Sequence, residues 1–512
     1  MAYEVGTASN LEDLFGKIVG FLTTDADLVT AGQQWEALRL RHDNLLTHSS
    51  NLNEPSSGVN SRFMRHTFRY DPRTLNTNSP VANGWESMFY ATNWSTGVSQ
   101  NTWRLRTARE VMSIRIRAAV GISYVAASPR TFRLQYSDNG SSWTTALTVT
   151  NTPVFTIGEY RDFPVPSAPG SHEYWRIIWD AVQNSTTTGT IAWTELLLLE
   201  ADETVANHYG SEAILRGQGN AGTDNIFVGL RSEYDAAAGW YNLFVNGYTG
   251  YDPTERSWFN QPGALPGFGQ ASPRAVPMIP CWNTSMPYWL VASGRSFRFG
   301  IKVSTSYEGG YGGFILPYAT PGQYPYPLAV GGSLVPNTNN RSADWRYSDV
   351  SFRHGVYPAP GANSGSESEA ANIWATLYLR SPEGVWRQFA NRPDSNGSLP
   401  EGIQGLTPQY SLPFQVSAGL RSVWPHCQNF RWTQGNRPYR ECLGGGYILQ
   451  PCILLQRQPI YAVHGELEGT YAVSGYNNSA ENTTTFNGKT HIILQNAYRN
   501  TVHEFWALSL DE

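Results

Sequence analysis

TFRLQYSDNGSSWTTAL, residues Thr131–Leu147, is the stretch on which the fold class turns. Phe132, Leu134 and Tyr136 alternate with Arg133 and Gln135, the period of two that marks a half-buried strand. Ser137-Asp138-Asn139-Gly140 follows as a turn, because Asp and Asn tolerate left-handed backbone and Gly adopts it without steric cost. Trp143 stands where the next strand begins. Upstream, Val111–Ala118 (VMSIRIRA) reads as a strand. Downstream come Tyr174–Trp179 (YWRIIW) and Ile191–Ala201 (IAWTELLLLEA). These runs predict an antiparallel sandwich with Phe132, Leu134, Tyr136, Ile177 and Leu196–Leu198 in its core.

Strand, S-D-N-G-x-x-W, strand, Y-W-R-I and a closing apolar strand together resemble the discoidin (F5/8 type C) jelly-roll sandwich, over roughly 60–203. The resemblance implies a binding module, often for sugars, with its ligand surface on loops at one end. On that basis Trp85, Tyr90, Trp94 and Trp103 are candidate ligand-binding residues, whose rings would stack on the C–H face of a sugar. The competing reading places the same rings in a core or an intersubunit contact, since interfaces also enrich aromatics and Arg.

The bulk numbers agree with a mainly β protein. The chain has 512 residues, enough for three or four domains, and charged residues make up only 15% of it, against about 25% in ordinary soluble proteins. Aromatics reach 13%, and 48 Gly and 31 Pro supply dense turns. A formal net charge of −5 gives no basic footprint for nucleic acid. Lys17, Lys302 and Lys489 are the only lysines, so nearly every cation is Arg. That bias suits forked, planar contacts at interfaces, and codon composition explains it equally well. Cys281, Cys427, Cys442 and Cys452 form no C-x-x-C pair and complete no zinc site, so no metal or cofactor is expected. Buried reduced thiols and one disulfide among the last three both remain open. MAYEVGTASN has no basic or apolar leader, and no apolar run reaches the ~18 residues of a membrane span. A binding-type β protein of this kind is expected in a virion, assembled in the host cytoplasm and released by lysis.

Residues 1–59 read as a helical assembly segment. Ser9-x-x-Glu12 has the form of a capping box, and Leu11, Leu14, Phe15, Ile18, Val19 and Leu22 fall on one helical face. Thr24-Asp25 can cap a second short helix, and Gln33–Leu40 is a third helix or a lead-in strand. The apolar stripe must be covered by the chain's own body or by a second copy. Leu11, Leu14, Phe15 and Ile18 are therefore candidates for an oligomer interface.

Residues 204–512 read as a further β-sandwich-rich region with room for two subdomains. Strand patterns fall at Asn225–Leu230, Gly239–Val245, Phe297–Val303, Ile373–Leu379, His491–Leu494 and Phe505–Leu510. Tyr307–Pro327, YEGGYGGFILPYATPGQYPYP, is expected to be an ordered loop, because Pro removes ladder donors. Tyr307, Tyr311, Tyr324 and Tyr326 would then lie on an assembly surface. Pro358–Glu369 (PAPGANSGSESE) is the best linker candidate. The strings Asp224–Arg231 (DNIFVGLR), Gly312–Leu328 and His464–Gly469 (HGELEG) resemble tail- or baseplate-associated virion proteins of tailed bacteriophages. That resemblance implies a structural protein that forms a symmetric homo-oligomer and touches other tail proteins, with host-surface glycan as a further partner.

Short catalytic signatures fail on particular residues. Gly217–Gly222 matches G-x-G-x-x-G, but a β pattern and not a helix follows it. Gly488-Lys489-Thr490 lacks the first Gly of a Walker loop, which would be Thr483, and Asn487-Gly488 is better read as a hairpin turn. His172-Glu173 and His503-Glu504 are followed by Arg176 and Ala507 where a zinc motif needs His. Glu466 and Glu468, near His464, are the carboxylates hardest to dismiss as an acid pair, with Asp344, Asp349 and Asp394 in aromatic loops behind them. The expectation is a protein that acts by contact and not as an enzyme. The alternatives are an autonomous carbohydrate-binding protein and a polysaccharide depolymerase.

Overall fold

The computed structural model describes residues 1–50, 89–118, 125–183, 188–193, 195–235, 240–255, 258, 261–265, 277–332, 377–389, 421–424, 448–456, 462–474, 479–495 and 505–511. Among them the protein is mostly antiparallel β-sheet, with two helices near the N-terminus, Leu11–Thr24 and Ala26–Thr30. The chain forms two compact units. One runs from Arg41 to Ser211, and the other is built from Met1–Leu40 together with most of the chain after Glu212. The N-terminal residues are thus not a separate assembly segment, and the sandwich is an insertion into the larger unit rather than the second of three domains in series. The insertion point makes physical sense. Glu36–Arg41 and Glu212–Gly217, the strands on either side, are neighbours in one sheet. Within the inserted unit, the Asp43 N–H donates to Ser211 Oγ (3.0 Å) and the Gly210 N–H to the Asp43 carboxylate (3.0 Å), which closes entry on exit.

The inserted unit is the sandwich anticipated from alternation. Its five-stranded sheet runs, in spatial order, Leu45–Ser50, Gln100–Arg109, His172–Val182, Pro129–Ser137, Thr144–Val149. A three-stranded sheet, Glu195–Leu199, Ser113–Arg117, Tyr160–Pro164, and the pair Thr188–Trp193 with Phe89–Ser95 accompany it. Phe132 of the first sheet meets Phe163 of the second edge-to-face at 5.0 Å, which places the two inner faces against each other. Phe132, Leu134, Ile177 and Leu198 are wholly buried. Tyr136 is not. Its ring lies half-buried against His172, 3.9 Å between centroids. Leu197 points the other way, into a small cluster with Leu199 and Val205.

In the larger unit, helix Leu11–Thr24 starts one residue later than the sequence reading put it. Asn10 is the cap, accepting from the Asp13 N–H (2.9 Å), and the Asp13 carboxylate reaches back to the Ser9 N–H and hydroxyl. Glu12 instead accepts from the Ser232 hydroxyl. Asp25 ends this helix and caps the next, Ala26–Thr30. Gln33–Leu40 resolves as a strand, Glu36–Arg41. Leu11, Leu14, Phe15 and Ile18 are at most 1% exposed, packed on strands Ala2–Ala8, Ile226–Asp235, Trp240–Tyr248 and Met286–Ala292.

Three sheets carry the larger unit. The order of one of its two seven-stranded sheets is Ala2–Ala8, Met286–Ala292, Ser296–Val303, Ser306–Phe314, Leu328–Gly331, Leu377–Arg380, Trp386–Phe389. Ser306–Phe314 is a central strand of it, which corrects the loop expected at Tyr307–Pro327. The prolines begin only at Pro317, after the strand has ended. The glycines inside the strand leave room for rings. A Cβ on Gly310 would sit 2.6 Å from Phe299, and one on Gly312 would sit 2.7 Å from Phe297. Tyr307, Tyr311 and Tyr324 are consequently buried in a core with Trp289, Leu454, Leu467 and Trp506. Asn487-Gly488 forms the anticipated hairpin turn between Thr483–Phe486 and Lys489–Gln495, both residues at positive φ. Cys281 and Cys452 are buried, whereas Cys427 and Cys442, with Pro358–Glu369, lie outside the described residues.

Candidate functional site

The S-D-N-G-S-S-W turn builds the best-organised surface of the inserted unit. Ser137 Oγ accepts from the N–H groups of Asn139 (3.2 Å) and Gly140 (2.9 Å). Asn139 Oδ1 then accepts from the Ser141 and Ser142 N–H groups, each at 2.9 Å. The turn is therefore held by its own short polar side chains. Gly140 has φ +70°, and a Cβ there would come within 2.9 Å of the Tyr174 ring. Its bare Cα lets the turn lie down on Tyr174. At the base of the turn, His172 bridges Asp138 Oδ1 (2.6 Å) and the Pro169 carbonyl (2.9 Å).

This folding brings Trp143 over the outer face of the five-stranded sheet. The Arg176 guanidinium carbon is 4.1 Å from the Trp143 ring centroid, a close cation–π stack. Arg176 is on the central strand, in register with Thr102 on one side and Gln135 on the other. Its Nε donates to Gln135 Oε1 (2.7 Å) and its Nη1 to Gln100 Oε1 (3.4 Å). Gln135 is itself fixed by donating to Thr145 Oγ1 (2.9 Å). The cations in the flanking rows are neutralised. Arg133 forms a two-pronged pair with Asp180 (2.8 and 2.9 Å), and Arg104, over the Tyr174 ring, lies 3.6 Å from Glu173. Arg176 has no such carboxylate among the described residues. Burial pulls its pKa below the usual arginine value, and the charge of Arg133 adds to the effect. An arginine keeps its charge regardless. A planar aromatic, a planar guanidinium and two amides thus share one face that carries unneutralised positive charge.

The sequence candidates fall elsewhere. Trp94 and Trp103 are core residues, 0% and 2% exposed, so neither offers a ring face to a ligand. Trp103 sits opposite Trp175, both on the inward side of their strands. Trp85 lies outside the described residues, as does the side chain of Tyr90, whose backbone belongs to Phe89–Ser95. The proposed oligomer-interface tyrosines turn inward as well. Tyr311 donates to the Phe314 carbonyl (2.8 Å), Tyr326 to that of Tyr248 (2.8 Å), and Tyr324 to that of Arg380. Tyr307 donates to Glu481. The Leu11, Leu14, Phe15 and Ile18 stripe is covered by the chain itself, not by a second copy.

The two carboxylates of HGELEG do different jobs. Glu468 is buried, accepts from the Ser293 and Ser296 hydroxyls, and lies 3.8 Å from the fully buried Arg298. Glu466 is half-buried beside Tyr318, and burial raises its carboxyl above the ordinary range. Glycosidic cleavage needs two carboxylates free to flank one bond, and Glu468 is engaged. Asp344, Asp349, Asp394 and His503-Glu504 lie outside the described residues. Gly217–Gly222 links strands Glu212–Gly217 and Ile226–Asp235, so no helix end faces it. Among the described residues no three His, Cys, Asp or Glu side chains cluster as a metal site, and no helix is long and apolar enough to cross a membrane.

The missed residues had a partial signal. Alternation through YWRIIW assigns Arg176 outward, and through TFRLQY it assigns Gln135 outward. Nothing in one strand tells that the two pair.

No protein-family model matches the chain, and no curated protein matches it by sequence. Solved structures that resemble part of it include carbohydrate-binding and F5/8 type C modules. The family 32 carbohydrate-binding module of Clostridium perfringens NanJ, in complex with galactose, is 15% identical with a TM-score of 0.19, covering 29% of this chain and 90% of that one. The corresponding module of Streptococcus pneumoniae EndoD is 15% identical at TM-score 0.20, covering 30% and 94%. An F5/8 type C domain from Bacteroides fragilis is 9% identical at TM-score 0.22, covering 32% and 93%. Scores this low assign no function to the chain.

Proposed function

We propose that this protein is a structural component of a bacteriophage tail or baseplate, acting by contact, and that its inserted sandwich touches host-surface glycans. The observation that carries the contact reading is the Trp143–Arg176 stack, held rigid by the Ser137–Trp143 turn on an outward sheet face. A rigid aromatic beside fixed amides orders little on binding and so wastes little entropy. The virion reading is supported by the likeness of Asp224–Arg231, Gly312–Leu328 and His464–Gly469 to tail proteins. Self-association belongs to the same proposal. Strand Ala2–Ala8 pairs only with Met286–Ala292 among the described strands and exposes Tyr3 and Val5, which favours that edge over the buried helix stripe.

Binding of the purified chain to an immobilised panel of bacterial surface polysaccharides tests the contact reading. Trp143→Ala should abolish the signal and leave the melting temperature nearly unchanged. Binding that survives this substitution would move the site elsewhere. Light scattering tests the assembly reading, which a stable monomer at high concentration would overturn.

A further inference from the structure

We infer that Arg176 makes the inserted sandwich selective for saccharide polymers that carry an oxyanion, a carboxylate or a phosphate, over neutral ones. The inference rests on the contact reading above and adds the chemical class of the ligand.

A guanidinium has five N–H donors. In Arg176, Gln135 and Gln100 accept from Nε and Nη1, so the remaining donors include both on Nη2. Among the described residues Nη2 has no acceptor, and the Arg176 side chain is only partly buried. The end of the fork is therefore open, and that end is what a carboxylate or phosphate grips with two parallel hydrogen bonds. Orientation is fixed in advance by the Trp143 ring on one face and the two amides on the edges.

A purely structural role fits less well. A residue needed only to cover Trp143 and bond two glutamine oxygens could be neutral. A half-buried cation beside Arg133 costs energy that no carboxylate among the described residues returns to it. Asp180 and Glu173, on the same strand as Arg176, are each turned to another arginine. The unneutralised charge thus sits at the centre of the face, in the middle row of the middle strand, with paired charges around it. An incoming anion would meet attraction at the centre without repulsion from a free carboxylate next to it.

The test uses the full chain and three polymers: polygalacturonate, its carboxyl-reduced neutral form, and phosphorylated dextran. Wild type should bind at least one acidic polymer, more weakly as salt rises, and should bind the neutral polymer at least roughly tenfold more weakly. The acidic polymer that is bound identifies the source of the oxyanion. Arg176→Gln should remove that preference. Arg176→Lys, which keeps the charge but not the fork, should weaken acidic binding by roughly tenfold and serves if the glutamine variant fails to fold. Equal binding of neutral and acidic polymers by wild type, or undiminished acidic binding by either variant, overturns the inference. In that case, neutral binding that is still lost in Trp143→Ala leaves the contact reading standing. Binding to none of the polymers, acidic or neutral, with none on the surface-polysaccharide panel, sinks both.

Discussion

Glu468→Gln should destabilise the larger unit by about 3–5 kcal/mol, the usual consequence of stranding a buried charge. Arg298 is 0% exposed, and Glu468 Oε2 lies 3.8 Å from its Nη1. At that separation, with an effective dielectric of about 20, the attraction is worth about 4 kcal/mol. Glutamine keeps the shape and can still accept from Ser293 and Ser296, so the change isolates charge from packing. Arg298 has no exposed surface through which water could relieve it, and even a Cβ added to Gly469 would come within 2.2 Å of its guanidinium. The assay is urea denaturation, following the transition of the larger unit separately because two units need not unfold together. The second arm is the double variant Arg298→Met with Glu468→Leu. Removing both charges should restore most of the loss, because the desolvation cost disappears with the attraction. A loss below about 1 kcal/mol in Glu468→Gln, or a double variant no better than the single, would refute the claim that this pair is a mutually compensated buried charge.

Four further outcomes are expected. Trp103→Ala should cost about 3–5 kcal/mol in the sandwich, as deletion of a large core ring does, and a change in polysaccharide binding at unchanged stability would contradict its placement in the core. Leu14→Asp with Ile18→Asp should prevent folding of the larger unit, read by circular dichroism, whereas a folded chain with altered native mass would mean the stripe faces another copy. Gly310→Val should cost about 1–3 kcal/mol or more by driving a methyl into Phe299, and a variant as stable as wild type in urea would show that the ring has room to move. His491 is buried beside Tyr471 and Phe486, and burial lowers its pKa below the ordinary histidine value of about 6.5. Its contribution is therefore fully present above that unfolded value and is lost as pH falls through the lower folded one. Wild type should lose stability relative to His491→Asn as pH falls below about 6.5, and parallel profiles would exclude the effect.

Alternation alone carried most of the sandwich. Phe132, Leu134 and Ile177 face inward as their spacing requires, and Asn487-Gly488 turns a hairpin as that dipeptide does. Two kinds of information were not local. The first is insertion: nothing in Glu36–Arg41 shows that its partner strand begins at Glu212, with the whole sandwich between them. The second is the reason for a glycine. In Ser306–Phe314 the glycines looked like loop residues, yet they are spaces for Phe297 and Phe299 from the adjacent strand. Only the register makes that visible. The capping box failed by one residue because Ser9 and Asn10 are both competent caps, and the position of Asp13 decided between them.

Richness in Trp, Tyr and Arg suits a contact surface or a core, and the placement of these residues divides it. Trp94, Trp103, Trp175 and Trp179 fill the sandwich core, and Tyr311 and Trp506 fill the larger one. Buried arginines of the larger unit are matched: Arg231 donates to Glu212 (2.8 Å), and Arg298 faces Glu468. Aromatic rings therefore cannot by themselves mark where a ligand would bind, because most of them stabilise the fold. What distinguishes a contact surface is a cost that the fold does not recover. By that criterion the Trp143–Arg176 stack stands out, a partly desolvated cation that has no carboxylate partner among the described residues and lies outside the core. The same criterion sets aside Glu466 and Glu468 as an acid pair. Glu468 is fully compensated by two hydroxyls and an arginine, so freeing it for chemistry would first require undoing the interior.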